Sequence, residues 1–405
     1  MKQAITGNTG PKVRSDIEVA LELADNGGIV LNLKSKVKSM YGKAIDKQCR
    51  ELLNYFGITN ALLTINDSGA LPFVIAARIE AAVRALTGTA DSFLPDMIPE
   101  NTYCSSRERF RFSRLYLPGN SPGMFLNAGL HTPDGVILDL EDSVAPDRKD
   151  EARILVRNAL RAVNFYGAER MVRINQGERG LEDLEYVIPH NVHLVLIPKC
   201  ENAETVRKVV GKISAIKSRE GQNDEVYLMP IIESAAGVEN AYEIATASPS
   251  VVAMAIGLED YTADLGVQRT REGKESLYAR NRLVVAAKAA GIQPIDSVFS
   301  DVADMEGLLQ NVISSKAMGF EGMGCIHPRQ IAVIREGFSP TVEEMEKAKK
   351  IVLAYRDALQ KGLGVVALGS KMIDPPVVAR AEKTIKLALR LGMLPEEWAD
   401  AGAEK

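Results

Sequence analysis

The chain has 405 residues, of which 46% are hydrophobic and 25% are charged, and its formal net charge is −4. This composition is typical of a globular protein, and the length predicts two or three domains. The weak negative charge does not indicate a nucleic-acid partner. No apolar run approaches the ~20 residues that a membrane helix needs, and the N-terminus lacks the apolar core of a signal peptide. We therefore expect a cytoplasmic protein with neither a nucleic-acid nor a membrane partner.

Four cysteines are scattered along the chain, at Cys49, Cys104, Cys200 and Cys325. They form neither a Cys-x-x-Cys motif nor a Cys/His cluster, so the sequence predicts free thiols and no zinc site. Free thiols agree with a reducing, cytoplasmic environment.

Residues 1–88 are predicted to form a small α+β domain. The apolar runs Ile17–Leu23, Ile29–Leu33 and Ala61–Ile65 have the composition of strands. Apolar residues at helical spacing predict one helix over Val37–Phe56 and a second over Phe73–Leu86. The unit contains no acid pair, nucleophile–base pair or phosphate loop, which favours a carrier or binding module over an enzyme.

This domain resembles the acyl-carrier (gamma) subunit of citrate lyase, above all over the stretch GKAIDKQCRELLNYFGITNALLTINDSGALPFVIAARIEAAVRAL. Carriers of that family bear a phosphoribosyl-dephospho-CoA group on a serine near the N-terminus, in a Ser-Ser/Gly-Asp context. This chain reads Val13-Arg14-Ser15-Asp16, so an ungapped alignment places Arg14 at the modified position and Ser15 one residue later. The resemblance makes Ser15 the candidate attachment residue, and a loop serine or strand-start cap is the alternative.

Residues 89–106 are rich in turn formers and lack a hydrophobic period, which predicts a linker. A flexible tether at this point would let a carried thioester visit a neighbouring active site at high effective concentration. The linker would join the carrier-like domain to a second domain that begins at residue 107.

From Arg107 onward, strand-like apolar runs alternate with helical stretches. The predicted strands are Arg114–Leu117, Val136–Leu140, Met171–Ile174, His193–Ile197, Val226–Ile232, Val251–Ile256, Pro294–Val298 and Met323–Ile326. Eight such repeats over residues 107–335 predict an α/β fold, a (β/α)₈ TIM barrel, and residues 336–405 are predicted to form a helical lid or oligomerisation extension. An open doubly wound sheet is the alternative, which the lack of a Gly-x-Gly-x-x-Gly motif after the first strand disfavours.

Charged residues follow seven of the predicted strands, at the barrel face where active sites lie. They include Asp139, Glu141, Asp142, Arg173, Lys199, Glu233, Glu259, Asp260, Asp296 and His327. Glu233 and Asp260 end two consecutive strands, and two carboxylates with open positions for water suit Mg²⁺. Helix N-caps or solvated loop acids are the alternative interpretation of this pair.

The second domain resembles the citrate lyase beta subunit and the related citryl, malyl and citramalyl thioester lyases. The motifs occur in the order SRLYLPGN, GVILDLEDSVAPDRKDEAR, VRIN, IPK, PIIESAAGV, IGLEDYTADLG, GCIHPRQI and GSKMIDPP. The resemblance implies an aldolase-type barrel that cleaves a 3-hydroxy-3-carboxy acyl thioester into an acetyl thioester and a 2-oxo acid.

The resemblance also implies roles for individual residues. Glu233 and Asp260 match the ligands of Mg²⁺. Arg173 matches the residue that holds the substrate carboxylate and offsets charge on the oxyanion, with a purely structural ion pair as its alternative. Glu141 and Asp142 match acids that contact metal-bound water or Arg173.

Basic residues and one C-terminal acid complete the implied site. Arg114 and Lys199 match positions near the thioester arm and substrate, where a salt bridge is the alternative, and Pro118 is placed with them. Asp374, in the stretch Lys371–Pro376, matches an acid/base residue that reaches the site from a neighbouring subunit. Its alternative role is the N-cap of the helix that follows. Action in trans would require a homo-oligomer, such as a trimer or hexamer.

The main hypothesis is a Mg²⁺-dependent citryl-thioester lyase with its own carrier domain, loaded by a citrate lyase alpha subunit through acyl exchange. The alternative enzyme is a free-standing citramalyl-CoA or malyl-CoA lyase that uses CoA thioesters and has an unmodified N-terminal domain. Many relatives have a lysine where this chain has Met323, which would favour the carrier-bound form if that lysine contacts CoA. A non-catalytic acyl-carrier or CoA-binding scaffold is the third hypothesis, which the full set of implied site residues disfavours.

Overall fold

The computed structural model describes residues 3–362, 364–368 and 371–399. The chain divides into two compact units, residues 1–334 and residues 335–405. Among the described residues, no helix combines the length and the apolar character that crossing a bilayer requires.

The first part of the larger unit is a four-stranded sheet with two helices. Its elements are β1 (Gln3–Thr6), β2 (Ile17–Leu23), β3 (Ile29–Ser35), α1 (Lys38–Tyr55), β4 (Ala61–Asp67) and α2 (Pro72–Thr87). The strand order is β1-β2-β4-β3, in which β3 and β4 are parallel and the other pairs are antiparallel. Residues along β4 alternate between buried and half-buried, as expected of a strand with one face on the core. Strand β1 is an addition to the predicted elements, since four residues carry little periodic signal.

The second part of this unit is an eight-stranded parallel barrel. Its strands are β5 (Ser113–Pro118), β6 (Gly135–Asp139), β7 (Glu169–Arg173), β8 (Leu194–Ile197), β9 (Tyr227–Ile232), β10 (Ala253–Ile256), β11 (Gln293–Ile295) and β12 (Met323–Cys325). Each strand pairs with its sequence neighbours, and β12 returns to pair with β5. A parallel bridge between Asp296 and Met323 joins the two remaining edges. The predicted (β/α)₈ class is therefore confirmed, with all eight strands in the predicted order.

The helices between the strands lie where the repeats predict them. They are α3 (Pro122–Phe125), α4 (Lys149–Ala162), α5 (Gly177–Val187), α6 (Ala203–Glu220), α7 (Ala235–Glu239), α8 (Ala241–Ala245), α9 (Leu258–Asp264), α10 (Leu277–Ala289), α11 (Met305–Met318) and α12 (Gln330–Phe338). Between β9 and β10 the helical stretch is divided into α7 and α8, which meet at Asn240. The Asn240 amide donates to the Glu201 carbonyl at 2.9 Å, which fixes the break between them.

The barrel interior is closed by apolar side chains below the carboxyl ends of its strands. The buried cluster consists of Ile137, Met171, Leu194, Leu196, Met229, Ile231, Val252, Ala253, Ala255 and Ile295. These side chains fill the space between the strands, as in other small barrels, so that ligands reach only the upper end. The site is consequently limited to the carboxyl ends of the strands and the loops after them.

Buried ion pairs join the carrier-like region to the barrel. Arg78 of α2, fully buried, contacts Asp16 at 2.9 Å and Glu151 of barrel helix α4 at 3.1 Å. Glu80 of the same helix pairs with Arg157 of α4 at 2.7 Å. Charges removed from water in this way need close partners, so these contacts hold the two regions in one orientation.

Residues 89–106 connect the two regions as a strap along the barrel. Apart from one 3₁₀ turn at Pro99–Asn101, the segment is irregular, as the sequence predicts. The fully buried Asn101 donates to the carbonyls of Leu160 and Val163 at 2.9 and 2.7 Å, and Ile98 N–H donates to the Arg161 carbonyl at 3.0 Å. The expectation of a free tether is therefore wrong, because the barrel surface satisfies the polar groups of the segment.

The smaller unit is a helical hairpin with a two-stranded ribbon. It contains α13 (Val342–Gln360), β13 (Val366–Leu368), β14 (Lys371–Ile373) and α14 (Pro375–Arg390). Thr341 and Glu344 form a capping box at the start of α13, which satisfies two backbone N–H groups. Met345, Ile351, Val352 and Ile385 belong to the apolar core of this unit.

Candidate active site

A cavity of about 410 Å³ opens at the carboxyl ends of the barrel strands. The predicted site residues that line it are Arg114, Pro118, Asp142, Arg173, Glu233 and Asp260. Asp142, Arg173, Glu233 and Asp260 were predicted from strand ends, and they share one cavity because parallel strands end at the same face. Arg114 and Pro118, which the resemblance implies, line the same cavity from β5.

Glu233 lies at the end of β9, where its side chain is buried. The carboxylate accepts the Lys199 backbone N–H at 2.7 Å. Burial raises the pKa of Glu233 to about 7, an effect to which the charges of Asp260 and Glu141 add. A Cβ on Gly257, after β10, would lie 2.3 Å from a carboxylate oxygen of Glu233. Glycine at position 257 therefore provides the space that this carboxylate occupies.

Lys199 joins the acidic groups of three strand ends. Its ammonium lies 3.3 Å from Glu141, 3.5 Å from Asp142 and 3.5 Å from Asp260. Burial alone would lower the pKa of Lys199, but these carboxylates outweigh it and raise the pKa. The backbone of Lys199 has a positive φ of 44°, uncommon for a residue with a side chain. Lys199 therefore contacts Glu233 through its backbone and Asp260 through its side chain.

The carboxylates around Lys199 fit a hard divalent cation. Glu233 is held by one N–H group with its second oxygen against Gly257, and Asp260 is partly exposed to the cavity. Across the described residues, no group of three or more His, Cys, Asp and Glu side chains has metal-binding spacing. A cation here would have two protein carboxylates, with water and substrate completing its shell, a pattern that suits Mg²⁺ better than zinc.

Arg173, at the end of β7, lies beside this acidic group. Its Nε and Nη2 atoms donate to the two oxygens of Asp139 at 2.7 and 2.8 Å, and its Nη1 lies 3.0 Å from Glu141. Burial by itself would lower the pKa of Arg173. The hydrogen bonds to Asp139 have the larger effect, so the pKa of Arg173 is raised. The same contacts lower the pKa of Asp139. Asp139 thus binds one edge of the guanidinium, through Nε and Nη2, and Glu141 lies beside Nη1.

Glu141 and Asp142 differ in their surroundings although they are adjacent. Glu141 is buried and accepts from the Gln176 amide at 2.8 Å, and burial raises its pKa. Its second oxygen has no hydrogen bond within the described residues, despite the nearby Arg173. Asp142 is largely exposed and lies 4.0 Å from Arg173. The buried acid is therefore placed to orient Arg173 and Lys199, and the exposed acid faces the cavity.

Arg114 is a fully buried cation without a carboxylate partner in the described structure. Its Nη1 contacts the Met229 sulfur at 3.0 Å, and its Nε has no hydrogen bond. Burial lowers the pKa of Arg114. The expected alternative, a salt bridge, is not seen among the described residues. A buried guanidinium that lines a cavity without a counter-charge favours binding of an anionic ligand group.

Three further residues named from the sequence have different positions relative to the cavity. Pro118 lines the cavity at the end of β5. Met323 is completely buried in β12 and does not line the cavity, so the departure at this position does not face the ligand space. His327 accepts the Arg329 backbone N–H at 3.2 Å, which gives it a role in the loop after β12.

Ser15 lies in the loop between β1 and β2. Its backbone has a φ of 55°, in the left-handed region, and its N–H donates to the Ser68 carbonyl at 3.1 Å. Asp16 beside it is buried against Arg78. The left-handed conformation is one that glycine adopts most readily, so it is uncommon for a serine. Attachment of a prosthetic group to Ser15 stays a prediction.

Asp374 belongs to the smaller unit and caps helix α14. Its carboxylate accepts the Val377 backbone N–H at 3.2 Å, and Pro375 occupies the first helical turn. The capping role expected from Asp-Pro-Pro is therefore present. A catalytic role for Asp374 stays a prediction.

The sequence analysis named Asp139 and Asp296 but did not predict the arginines with which they pair. Asp139 appeared only as one of several strand-end acids, and its two hydrogen bonds to Arg173 depend on pairing between β6 and β7. Asp296 is buried against Arg280 at 2.5 Å and is a structural ion pair rather than a free rim acid. Sequence spacing cannot identify such partners, because they lie on different repeats.

Comparison with protein families gives two matches along the chain. A family described as HpcH/HpaI aldolase/citrate lyase matches residues 113–328, the segment that forms the barrel. An acyl-carrier family described as the malonate decarboxylase delta subunit matches residues 2–86. The two regions recognised from sequence motifs are thus confirmed independently.

Individual relatives agree with these matches. The chain is 37% identical over 290 residues to citrate lyase subunit beta of Leuconostoc mesenteroides subsp. cremoris, covering 70% of this chain and 95% of that protein. It is 34% identical over 323 residues to mitochondrial citramalyl-CoA lyase of Homo sapiens, covering 76% and 95% respectively. The barrel sequence is therefore similar to lyases that differ in their substrates.

Solved structures show the same likeness. CitE of Mycobacterium tuberculosis, crystallised with magnesium, acetoacetate and coenzyme A, is 31% identical with a TM-score of 0.58, covering 70% of this chain and 99% of that one. Taken with the family match over the barrel and the relatives above, this likeness leads to one conclusion: the chain belongs to the HpcH/HpaI aldolase/citrate lyase family of carbon–carbon lyases, with an acyl-carrier-like region ahead of its barrel.

Proposed function

We propose that this protein is a Mg²⁺-dependent lyase that cleaves a 3-hydroxy-3-carboxy acyl thioester into an acetyl thioester and a 2-oxo acid. The observation that carries the proposal is the meeting of Glu233 and Asp260 around Lys199, beside the cationic groups of Arg173 and Arg114. Glu233 accepts the Lys199 backbone N–H and Asp260 contacts the Lys199 ammonium. These two acids, next to two arginines, match the charges of a substrate with a hydroxyl and a carboxylate.

The metal would be held by Glu233 and Asp260. When bound, Mg²⁺ supplies positive charge that lowers the pKa of the substrate hydroxyl and fixes the adjacent carboxylate oxygens. Glu141 and Asp139 hold Arg173 so that its charge faces the reacting carbonyl group. The buried Arg114 supplies a second positive charge without a protein partner to neutralise it.

The reaction then requires one proton transfer from the hydroxyl and one proton delivery to carbon. Loss of the hydroxyl proton forms the new carbonyl of the 2-oxo acid as the carbon–carbon bond breaks. The electron pair of that bond passes to the thioester as an enolate, whose α-carbon takes up a proton to give the acetyl thioester. We propose Asp374 of a neighbouring subunit as the acid/base group, which makes a homo-oligomer, a trimer or hexamer, part of the proposal.

We propose free CoA thioesters, such as citramalyl-CoA or malyl-CoA, as the substrates. Two observations support this form over a carrier-bound one. The chain reads Val13-Arg14-Ser15-Asp16, so an ungapped alignment with the carrier motif leaves Arg14 at the modified position. The strap at residues 89–106 is fastened to the barrel, so the carrier-like region lacks the freedom of a mobile carrier.

Carrier-bound citryl thioester is the second candidate, favoured by the match of residues 2–86 to an acyl-carrier family. It would place a phosphoribosyl-dephospho-CoA group on Ser15 and require a citrate lyase alpha subunit as partner. Intact mass of the protein from its native cells, with mapping of residues 1–36, separates the two candidates. An unmodified peptide supports CoA thioesters, and the adduct on Ser15 supports the carrier. Free thiols support a cytoplasmic location in either case.

The metal assignment is tested with Asp260→Ala and a control acid. Glu243 is exposed on α8, between the same two strands, and Glu243→Ala removes the same charge away from the cavity. We expect Asp260→Ala to lose Mg²⁺ binding in calorimetry together with thioester cleavage, and Glu243→Ala to retain both. Full Mg²⁺-dependent activity in Asp260→Ala would contradict the assignment.

A further inference from the structure

The loop between β1 and β2, residues 7–16, is fastened to the barrel and is called here the rim loop. Gly7 N–H donates to a Glu151 carboxylate oxygen of α4 at 2.9 Å, and Arg148 donates to the Gly7 carbonyl. A Cβ on Gly7 would lie 1.8 Å from the Ile17 carbonyl oxygen, so the chain can turn here only with glycine. The base of the rim loop is therefore fixed on the barrel.

The other end of the rim loop is fixed by the buried Arg78. Its guanidinium donates to both oxygens of Asp16, at 3.0 and 2.9 Å, and to the side-chain oxygen of Asn120 at 2.8 Å. Asn8 adds hydrogen bonds to Asp16 at 2.9 Å and to the Asn120 carbonyl at 3.3 Å. Asn120 follows β5, on the catalytic face of the barrel. One buried arginine thus ties the rim loop to that face.

This attachment places the rim loop beside the mouth of the candidate active site. A Cβ on Gly123 would lie only 2.8 Å from the Arg14 carbonyl oxygen, so the backbones of residues 14 and 123 are in contact. The next residue, Met124, lines the cavity, as does Pro118 at the end of the preceding strand. The backbone of Arg14 therefore lies next to the segment that carries a cavity-lining side chain, Met124.

The rim loop carries positive charge that the described part of the chain leaves uncompensated. Lys12 and Arg14 are exposed, and their side chains have neither an ion pair nor a hydrogen bond within the described residues. Lys36 donates to the Val13 carbonyl at 3.3 Å, which brings a third ammonium onto the loop. The one acid of the loop, Asp16, is neutralised by Arg78. Three exposed cations therefore belong to or contact the rim loop.

We propose that the rim loop, through Arg14, Lys12 and Lys36, binds the phosphate groups of the nucleotide portion of a free CoA thioester. Guanidinium and ammonium groups are suited to the pyrophosphate and the 3′-phosphate, and the uncharged pantetheine arm would extend from them into the cavity. A carrier-like domain would in this way hold CoA non-covalently, through the loop in which a carrier holds its arm covalently. The inference rests on the proposed use of free CoA thioesters.

The test is the double variant Lys12→Ala/Arg14→Ala, which removes two cations without touching the buried anchor. Its control is Arg207→Ala/Lys208→Ala on α6, an equal loss of exposed charge elsewhere on the barrel. Calorimetry measures the Kd for CoA and for pantetheine, which lacks all phosphates. We expect the Kd for CoA to rise about 10- to 100-fold in the rim-loop variant, with a weaker dependence on salt. The Kd for pantetheine and the control should match the wild type.

The outcomes separate this inference from the proposed function. A wild-type protein that neither binds CoA nor cleaves a CoA thioester refutes the proposed function itself. A wild type that does both, with an unchanged Kd for CoA in the double variant, refutes only the role of the rim loop. An equal loss of pantetheine and CoA binding would also overturn it, because pantetheine has no phosphate for these cations to hold.

Discussion

Replacement of Arg78 by alanine should free the carrier-like region from the barrel. Arg78 is fully buried and ion-paired with Asp16 at 2.9 Å and Glu151 at 3.1 Å, with Asn120 accepting a further hydrogen bond at 2.8 Å. Removing one partner of a buried ion pair costs about 3–5 kcal/mol, because the remaining charge stays buried and unpaired. Asp16 would lose its cation, whereas Glu151 would keep an ion pair with Arg148 at 2.8 Å, so we expect a loss within that range.

The loss is measured best as a local quantity. Native-state hydrogen exchange gives the opening free energy of amides in β1 and β2, next to Arg78, separately from amides in the barrel strands. We expect the first set to lose about 3–5 kcal/mol in Arg78→Ala while the second set changes little. Proteolysis within residues 89–106 should become faster, since the strap would no longer be held between two fixed regions.

Arg50→Ala is the matched control within the same region. Arg50 pairs with Asp46 at 3.2 Å on the surface of α1, where both side chains are more than 40% exposed. An exposed pair of this kind contributes about 0–1 kcal/mol, so protection in β1 and β2 should hardly change. If Arg78→Ala lowers that protection no more than Arg50→Ala does, the buried network does not fix the carrier-like region, and the reasoning is refuted.

Three further predictions concern the site and the barrel. Gly257→Ala should raise the Kd for Mg²⁺ at least about tenfold in calorimetry, because the new methyl group would collide with the Glu233 carboxylate; an unchanged Kd with a folded barrel would contradict it. Arg173→Lys should lower kcat/KM about 100-fold or more, since lysine cannot make both hydrogen bonds to Asp139 and still face the substrate; steady-state kinetics decides. Burial, with a neighbouring arginine, lowers the pKa of His193 to about 3, so the ring takes up a proton only on unfolding as the pH falls below ~6.5. His193 should therefore contribute a fall in stability of about 1.4 kcal/mol per pH unit well below that value, and urea denaturation should give a pH slope shallower by this amount for His193→Gln.

The barrel was predictable because its signal is local and repeated. Each strand is a short apolar run, each is followed by a helix, and charged residues such as Glu233 and Asp260 come where a strand ends. Parallel strands with short-range connections leave few alternative arrangements, so strand order follows from sequence order. Because the strands of a parallel barrel end at one face, the sequence also predicts that Lys199 and Arg173 lie at that face.

The attachment of the carrier-like region was not predictable in this way. Arg78 and Glu151 are far apart in the chain. Each lies in a segment with the pattern of an ordinary amphipathic helix, which does not indicate that its charged residue is buried in an ion pair. The linker was expected to be free because turn-forming residues without periodicity look alike whether or not they are bound. Its fixation depends on the carbonyls of Leu160 and Val163, which no side-chain pattern reveals.

Residue 15 has a local conformation that the sequence does not predict. Ser15 is the candidate attachment point because it is the serine nearest the expected position. Its positive φ of 55° is a property of the folded backbone and is uncommon for a serine. Attachment at Ser15 stays a prediction that the peptide mapping described above decides.

The most direct test of the proposed function is cleavage of defined thioesters by the purified protein. Citramalyl-CoA, malyl-CoA and citryl-CoA would be incubated separately with Mg²⁺ or with excess EDTA, and acetyl-CoA and the 2-oxo acid would be quantified together. We predict that at least one thioester yields equal amounts of both products with Mg²⁺ and none with EDTA. Failure to cleave any of the three, by a folded protein that binds Mg²⁺, would contradict a lyase for free CoA thioesters.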